Sequence, residues 1–477
     1  MSLLQNGIIG VLAFIFILGA AVVLHEFGHF IVAKLFKIRV ETFSVGFGPR
    51  LFGWKKGHTD YRVSLIPLGG YVKLGGDESN APIEGEGASD IPTHERFDLR
   101  PRWQRILVAV AGPVMNVLTA IAIPFTGAMI YGVQLAPPPV VRYLLPGGAA
   151  EAAGLQPGDR IVVFDGREHP RWRTIADDAL LSPGKDLPLE VDRNGQRVKL
   201  TIKPTSRTEQ GETMGTLDFL PDYGNLPIIV RNVEANSPAA ESGLQPGDRI
   251  LAVNGEPVKS AEQVSQFIRD HKGQPITLRV QRQGQQLDIT ATPRRLNANE
   301  NRERLGFLPD EEIPFQRVGP LTALSEGIDT NLEYLRVTGK ALGQLFTGER
   351  SVRDTISGPI GIYRVAATSA IRFGWAGIFG TLGFLSLNLG IFNLLPIPVL
   401  DGGAIFLLMI EGALAKVGLS ISRTIRERIQ QVGFVMVILL MVFVITNDVI
   451  KQTALFRGSG DPSPTPAASP AQPGPTR

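Results

Sequence analysis

The 477-residue chain contains no cysteine. That excludes disulfides, thiolate nucleophiles and any zinc site built on sulfur, so a metal held here must be bound by nitrogen and oxygen. An excess of one charge is also missing, since 48 Lys and Arg stand against 45 Asp and Glu. The net charge of +3 gives no electrostatic reason to expect a nucleic-acid partner. Histidine is scarce as well, and two of the six lie inside an apolar run, AAVVLHEFGHFIVAK at 20–34.

Long apolar runs are not lacking. Segments at roughly 8–33, 104–133, 373–397 and 431–449 each offer close to the ~20 apolar residues that a ~30 Å hydrocarbon core requires. The first has no basic region ahead of it and no small-residue cleavage pattern, so it is expected to be a retained helix rather than a removed signal peptide. Basic residues cluster in two loops, with Lys34, Lys37, Arg39, Arg100, Arg102 and Arg105 in one and Lys416, Arg423, Arg426 and Arg428 in the other. Positive-inside bias puts both loops in the cytoplasm, and both termini and the segment from about 134 to 372 outside it.

The outer segment repeats itself. GLQPGDRI occurs at 154–161 and at 243–250, each time after a small-residue helical stretch and before a strand-like run and a turn. PLEVDRNGQRVKLTIKP and ITLRVQRQGQQLDITATP then alternate apolar and polar residues around an NG or QG turn, the pattern of a hairpin. Over 139–204 and 228–294 this combination resembles the PDZ domain as bacteria use it, a module that binds extended peptides and chain ends by strand addition. RLGF at 304–307 is a candidate carboxylate-binding loop, and a folded spacer without ligand is the competing reading for either copy.

In the cytoplasmic loop, VGFGPRL at 45–51 and YRVSLIPLGGYVKLGG at 61–76 read as a β-hairpin beside the membrane, with Val63, Leu65, Tyr71 and Leu74 available to face apolar material. ESNAPIEGEGASD at 78–90 is acidic and turn-rich, and the Pro, Ser and Ala tail at 458–477 has nothing with which to build a core.

The chemistry lies in the first helix. His25 and His29 are four apart, so a helix projects both imidazoles from one face, and Glu26 stands beside the first. This HExxH arrangement supplies two zinc ligands and a carboxylate placed to take a proton from the attacking water. Three ionisable groups within five positions of a membrane helix cost several kcal/mol, ~2.5 or more each for charged groups, and a bound divalent cation is the simplest offset. A third ligand is needed. His58, His94, His169 and His271 fall in polar loops or outer segments, whereas Asp401 in NLLPIPVLDGG at 393–403 reaches the same membrane side. Pro396 and Pro398 break the helix there, and a Pro-Gly helix end capped by Asp is the structural alternative.

HEFGH in the first membrane helix, NLLPIPVLDGG in the third, GPVMN at 112–116 and tandem PDZ-like segments between the second and third together resemble the site-2 protease family of intramembrane zinc metalloproteases. The match extends over nearly the whole chain, to about residue 452. It implies zinc held by His25, His29 and Asp401, with Glu26 as general base. It also implies that Asn388 and Asn393, with Gly46, Phe47, Gly48, Tyr71 and Val72 of the loop elements, bind the substrate strand beside the metal. Substrates would be single-pass membrane proteins, anti-sigma factors or signal-peptide-like segments, cut after their outer part has been trimmed, in the inner membrane of a bacterium. One position departs from the family, because Ala404 stands where a histidine is common after LDGG.

The expected fold is a multi-pass α-helical membrane protein with four transmembrane helices and two tandem PDZ-like α+β domains. Its parts are a first membrane helix at 1–36, a cytoplasmic loop with the hairpin at 37–100, a second helix at 101–133, PDZ-like domains at 139–204 and 228–294, and an outer connector with an amphipathic helix at 296–372. A third membrane helix at 373–403, a cytoplasmic loop at 404–430, a fourth helix at 431–452 and the tail at 458–477 complete the chain. Two rivals remain: a non-catalytic membrane PDZ adaptor or chaperone, opposed by an intact Glu26 and Asp401, and a metal transporter, opposed by the lack of repeated membrane halves.

Overall fold

The computed structural model describes residues 3–77, 91–134, 136–209, 212–224, 226–296, 303–348 and 358–458. The acidic stretch at 78–90 and the tail after residue 458 therefore lie outside the described residues. The chain divides into two compact units, one of Met1–Ile130, Ser206–Met214 and Val318–Arg477, the other of Tyr131–Thr205 and Gly215–Arg317.

Four helices of the first unit are long and apolar enough to cross a membrane: Gln5–Leu35, Arg102–Tyr131, Pro359–Asn393 and Thr424–Ile450. Their outer faces carry large apolar side chains in the open, such as Leu12, Leu118, Phe379, Val432 and Leu439, as expected where lipid rather than protein is the neighbour. Close crossings are made by glycine. A Cβ on Gly28 would meet the carbonyl oxygen of Ala111 at 2.2 Å, and one on Gly390 would meet that of Pro113 at 2.9 Å, so the second helix is gripped by the first and third.

The third of these helices differs from the sequence expectation at both ends. It begins at Pro359, well before 373, and bends at Gly374, whose φ of 58° is open to glycine. It stops at Asn393, and a new helix, Asp401–Lys416, opens with Asp401 as its first residue. Pro396 and Pro398 end the ladder, and Gly402 and Gly403 let the restarted helix lie against the Leu394 and Ile397 carbonyls, each 2.2 Å from where a Cβ would sit. Asp401 thus belongs to a helix start, not to the end of the third helix, and much of 404–430 is helical. The amphipathic stretch in 296–372 forms a helix at Pro320–Phe346.

A sheet fills the loop between the first two helices. Val40–Lys56 and Thr59–Leu74 are each folded back on themselves, since Phe43 faces both Val72 and Tyr61, and Tyr61 also faces Trp54. Four runs result, in the order 70–74, 40–45, 60–64 and 50–56. The single hairpin expected of 45–51 and 61–76 is thereby replaced by two interleaved hairpins, because glycines at 46, 48 and 69, all at positive φ, bend both strands midway. Tyr71 and Leu74 are buried, whereas Leu65 at the bend is exposed.

The second unit contains the repeat twice over. Strand Arg160–Phe164, helix Trp172–Leu180 and hairpin Leu187–Arg193 with Gln196–Ile202 recur 89 residues on as Arg249–Val253, Ala261–Asp270 and Ile276–Arg282 with Gln285–Ala291. Each copy has its own core, with Ile161, Ile175, Leu189 and Val191 matched by Ile250, Val264, Leu278 and Val280. The aspartate of PGDRI has one job in both. Asp159 binds Arg193 at 2.7 Å and accepts from the Gln156 N–H, and Asp248 binds Arg282 at 2.6 Å and accepts from the Gln245 N–H.

Candidate active site

His25 and His29 face the second and third apolar helices, and Asp401 meets them from the restarted helix. His25 Nε2 lies 2.9 Å from Asp401 Oδ2 and 3.2 Å from His29 Nε2, and His29 Nε2 lies 3.5 Å from Asp401 Oδ1. The corners of a tetrahedron whose ligands stand ~2.0–2.1 Å from zinc are about 3.3 Å apart. The three donor atoms therefore fit one small divalent ion, and nitrogen with carboxylate oxygen is the donor set a cysteine-free chain can offer. Among the described residues this is the cluster of His, Asp and Glu that could hold a metal.

The ligating atoms are oriented from behind. His29 Nδ1 donates to the Val108 carbonyl at 2.7 Å, which leaves Nε2 with its lone pair toward the cluster. Gly112 makes room, because a Cβ there would lie 2.3 Å from His29 Nε2 and 2.7 Å from His25 Nε2. Asp401 sits in the first turn of its helix, where unpaired N–H groups favour a carboxylate.

Glu26 is held by the sheet. Its Oε2 accepts the Val72 N–H at 3.1 Å, so the run 70–74 is tied directly to the first helix and Oε1 is left for other work. The segment leading into that run also packs on the first helix through a glycine: a Cβ on Gly19 would be 2.8 Å from the Pro67 carbonyl. Phe47, between Gly46 and Gly48 at the bend of the first strand, stacks on Tyr71 with ring centroids 6.2 Å apart.

The residues proposed from sequence do not all converge. Asn393 brings Nδ2 to 3.2 Å from His25 Nε2, whereas Asn388 donates to the Phe384 carbonyl of its own helix at 2.8 Å. Two residues of the site went unassigned in the sequence reading. Asn116 lies 3.1 Å from His25 Nδ1, and Ser386 lies 3.2 Å from the Asn116 side chain; both are fully buried. The signal for Asn116 was its place as a polar residue within an apolar helix.

A fold of four apolar helices whose first and restarted helices bring two imidazoles and a carboxylate together is that of a membrane metalloprotease. The model of peptidase family M50 matches residues 13–440, and the chain belongs to that family, the site-2 proteases. The relatives give the particular likeness. The chain is 33% identical over 454 residues to the regulator of sigma-E protease RseP of Salmonella typhimurium, covering 91% of this chain and 97% of the relative. It is 32% identical over 455 residues to RseP of Escherichia coli, again over 91% and 97%. Protease RseP of Yersinia pestis is 33% identical over 455 residues, with the same two shares.

Proposed function

We infer that this chain is a zinc-dependent endopeptidase that hydrolyses peptide bonds within the transmembrane segments of single-pass proteins, in the inner membrane of a bacterium. The observation that carries this is the meeting of His25, His29 and Asp401 from two helices within 3.5 Å, with Glu26 alongside and anchored to a strand. His25 Nε2, His29 Nε2 and an Asp401 oxygen would hold the metal. Zinc, when bound, supplies Lewis-acid polarisation of the scissile carbonyl and acidifies the attacking water.

Glu26 does the proton work in this reading. The Val72 N–H fixes one carboxylate oxygen, so the other can accept a proton from the attacking water and return it to the leaving amine. A substrate helix must open before its carbonyls are available, and the run 70–74 is a sheet margin beside Glu26 that offers backbone partners to an unwound chain. Phe47 and Tyr71, stacked at the bend, and Asn393 would line its path, while Asn388 would engage substrate only by leaving its bond to Phe384.

We read the repeated copies as PDZ domains on the outer side of the membrane, acting on substrates whose outer part has been trimmed. Their peptide-end site falls on the second copy. Gly306, at φ 80°, occupies the loop there, whereas Asp218 at the matching place of the first copy turns its own carboxylate to the Ala149 N–H and the Thr216 hydroxyl. An internal carboxylate repels a ligand's. The relatives named as regulators of sigma-E protease support an anti-sigma factor as substrate. The test is cleavage of a membrane-spanning peptide by the purified protein, compared with the Glu26→Gln variant. Cleavage by the parent and loss in the variant is expected, and equal cleavage by both overturns the assignment of the base.

A further inference from the structure

The back of the His25 ring must also be accounted for if His25 ligates a metal. An imidazole that ligates through Nε2 and stays neutral must carry its proton on Nδ1, and that proton needs an acceptor in a buried place. His29 has one in the Val108 carbonyl. His25 is only 5% exposed, and the group behind its Nδ1 is the Asn116 amide at 3.1 Å. As placed, the amide presents Nδ2, a donor, to the ring, and Oδ1 to Ser386 Oγ at 3.2 Å. In that orientation His25 Nδ1 is the acceptor and the ring proton sits on Nε2, between Asp401 Oδ2 at 2.9 Å and the Asn393 amide at 3.2 Å, whose oxygen must then also face the ring. Such a ring is a hydrogen-bond donor to Asp401 and cannot ligate through Nε2.

A half-turn of the amide exchanges oxygen and nitrogen at nearly unchanged distances. Oδ1 then accepts the His25 Nδ1 proton. Nδ2 donates to Ser386 Oγ, and the Ser386 hydroxyl donates in turn to the Asn116 backbone carbonyl, 3.1 Å away. Every polar group in the chain of bonds is paired, which matters because Asn116 and Ser386 are 0% exposed and an orphaned group there would cost about 1–3 kcal/mol.

We propose that Asn116, steered by Ser386 of the third apolar helix, is a positioning residue that sets the His25 tautomer. With its oxygen toward the ring it makes Nε2 a metal ligand; with its nitrogen toward the ring it withdraws that ligand. The metal-holding site requires the oxygen-inward orientation. This rests on the reading of His25 as a ligand.

The experiment measures zinc affinity of the full chain in detergent by competition with a chelator at one mildly alkaline pH, for the parent, His25→Ala, Asn116→Asp, Asn116→Leu and Ser386→Ala. Aspartate can only accept at Nδ1 once ionised, so Asn116→Asp is expected to stay within about threefold of the parent. Asn116→Leu, which has neither role, is expected to lose about 10–100-fold, the usual effect of removing a group that orients a ligating histidine. Ser386→Ala, which frees the amide to turn, is expected to fall between them. If Asn116→Asp loses as much as Asn116→Leu, the amide acts as a donor or as packing and the proposal is overturned. Equal affinity of Asn116→Leu and the parent overturns it too, and if the Leu variant does not fold, an Asn116→Asp affinity more than about tenfold below the parent overturns the proposal by itself. A parent that holds no zinc, or a His25→Ala variant that holds it as tightly, overturns the ligand reading itself and the proposal with it.

Discussion

At the scale of single residues, the site depends on what each atom faces. Glu26→Gln keeps the size of the side chain and its bond from the Val72 N–H but cannot take a proton, so zinc content should be unchanged while the cleavage rate falls by about 10²–10⁴-fold. Gly112→Ala should act in the opposite order. Its Cβ would be driven against both imidazoles, 2.3 and 2.7 Å from their Nε2 atoms, so zinc is lost before any question of catalysis arises, with a stability cost of about 1–3 kcal/mol from overpacking. Metal analysis and thermal unfolding of the purified variants separate the two. The pair His25 and His29 was legible in sequence because four residues on one helix fix their shared face. The part played by Asn116 was not, although GPVMN marked its position, because its partner lies 91 residues away and only the close crossing at Gly28 and Gly112 decides which polar group meets which ring.

At the scale of elements, the repeated copies were readable from GLQPGDRI, although the reason for its aspartate was not. Asp159 is 1% exposed, and although burial pushes its carboxyl up, the bonds from Arg193 and the Gln156 N–H outweigh this and hold its pKa below the usual 3.8. The sign follows directly: a carboxyl lower in the folded than in the unfolded state contributes stability above pH 3.8 and loses it as the pH falls through the folded value. Asp159→Asn should therefore destabilise the first copy by about 2 kcal/mol at neutral pH, and the difference from the parent should shrink in acid below about pH 4. Denaturant unfolding at the two pH values checks both. The broken helix between Asn393 and Asp401 was visible in Pro396 and Pro398. That a fresh helix would start on Asp401 was not, because it depends on the fit of Gly402 and Gly403 against carbonyls of the preceding turn. The interleaved sheet was hidden for a similar reason: alternation shows that 40–56 and 59–74 are strands, not that each folds back to pair twice.

At the scale of the whole molecule, the orientation proposed from four apolar helices and two clusters of basic loop residues can be tested simply, because the chain has no cysteine of its own. A single cysteine at Lys199, in the repeat segment, should label with a membrane-impermeant reagent from outside, and one at Lys56, in the sheet between the first two helices, only after the membrane is opened. Labelling of both from the same side contradicts the proposed orientation. The central claim is that one zinc ion is shared by His25, His29 and Asp401. X-ray absorption at the zinc edge on purified Glu26→Gln tests it most directly. The account expects one zinc per chain with two imidazole nitrogens at ~2.0–2.1 Å and oxygen at ~2.0–2.2 Å, a signature lost in His29→Ala and Asp401→Ala. A chain without zinc, or a zinc signature that survives both substitutions, would contradict it.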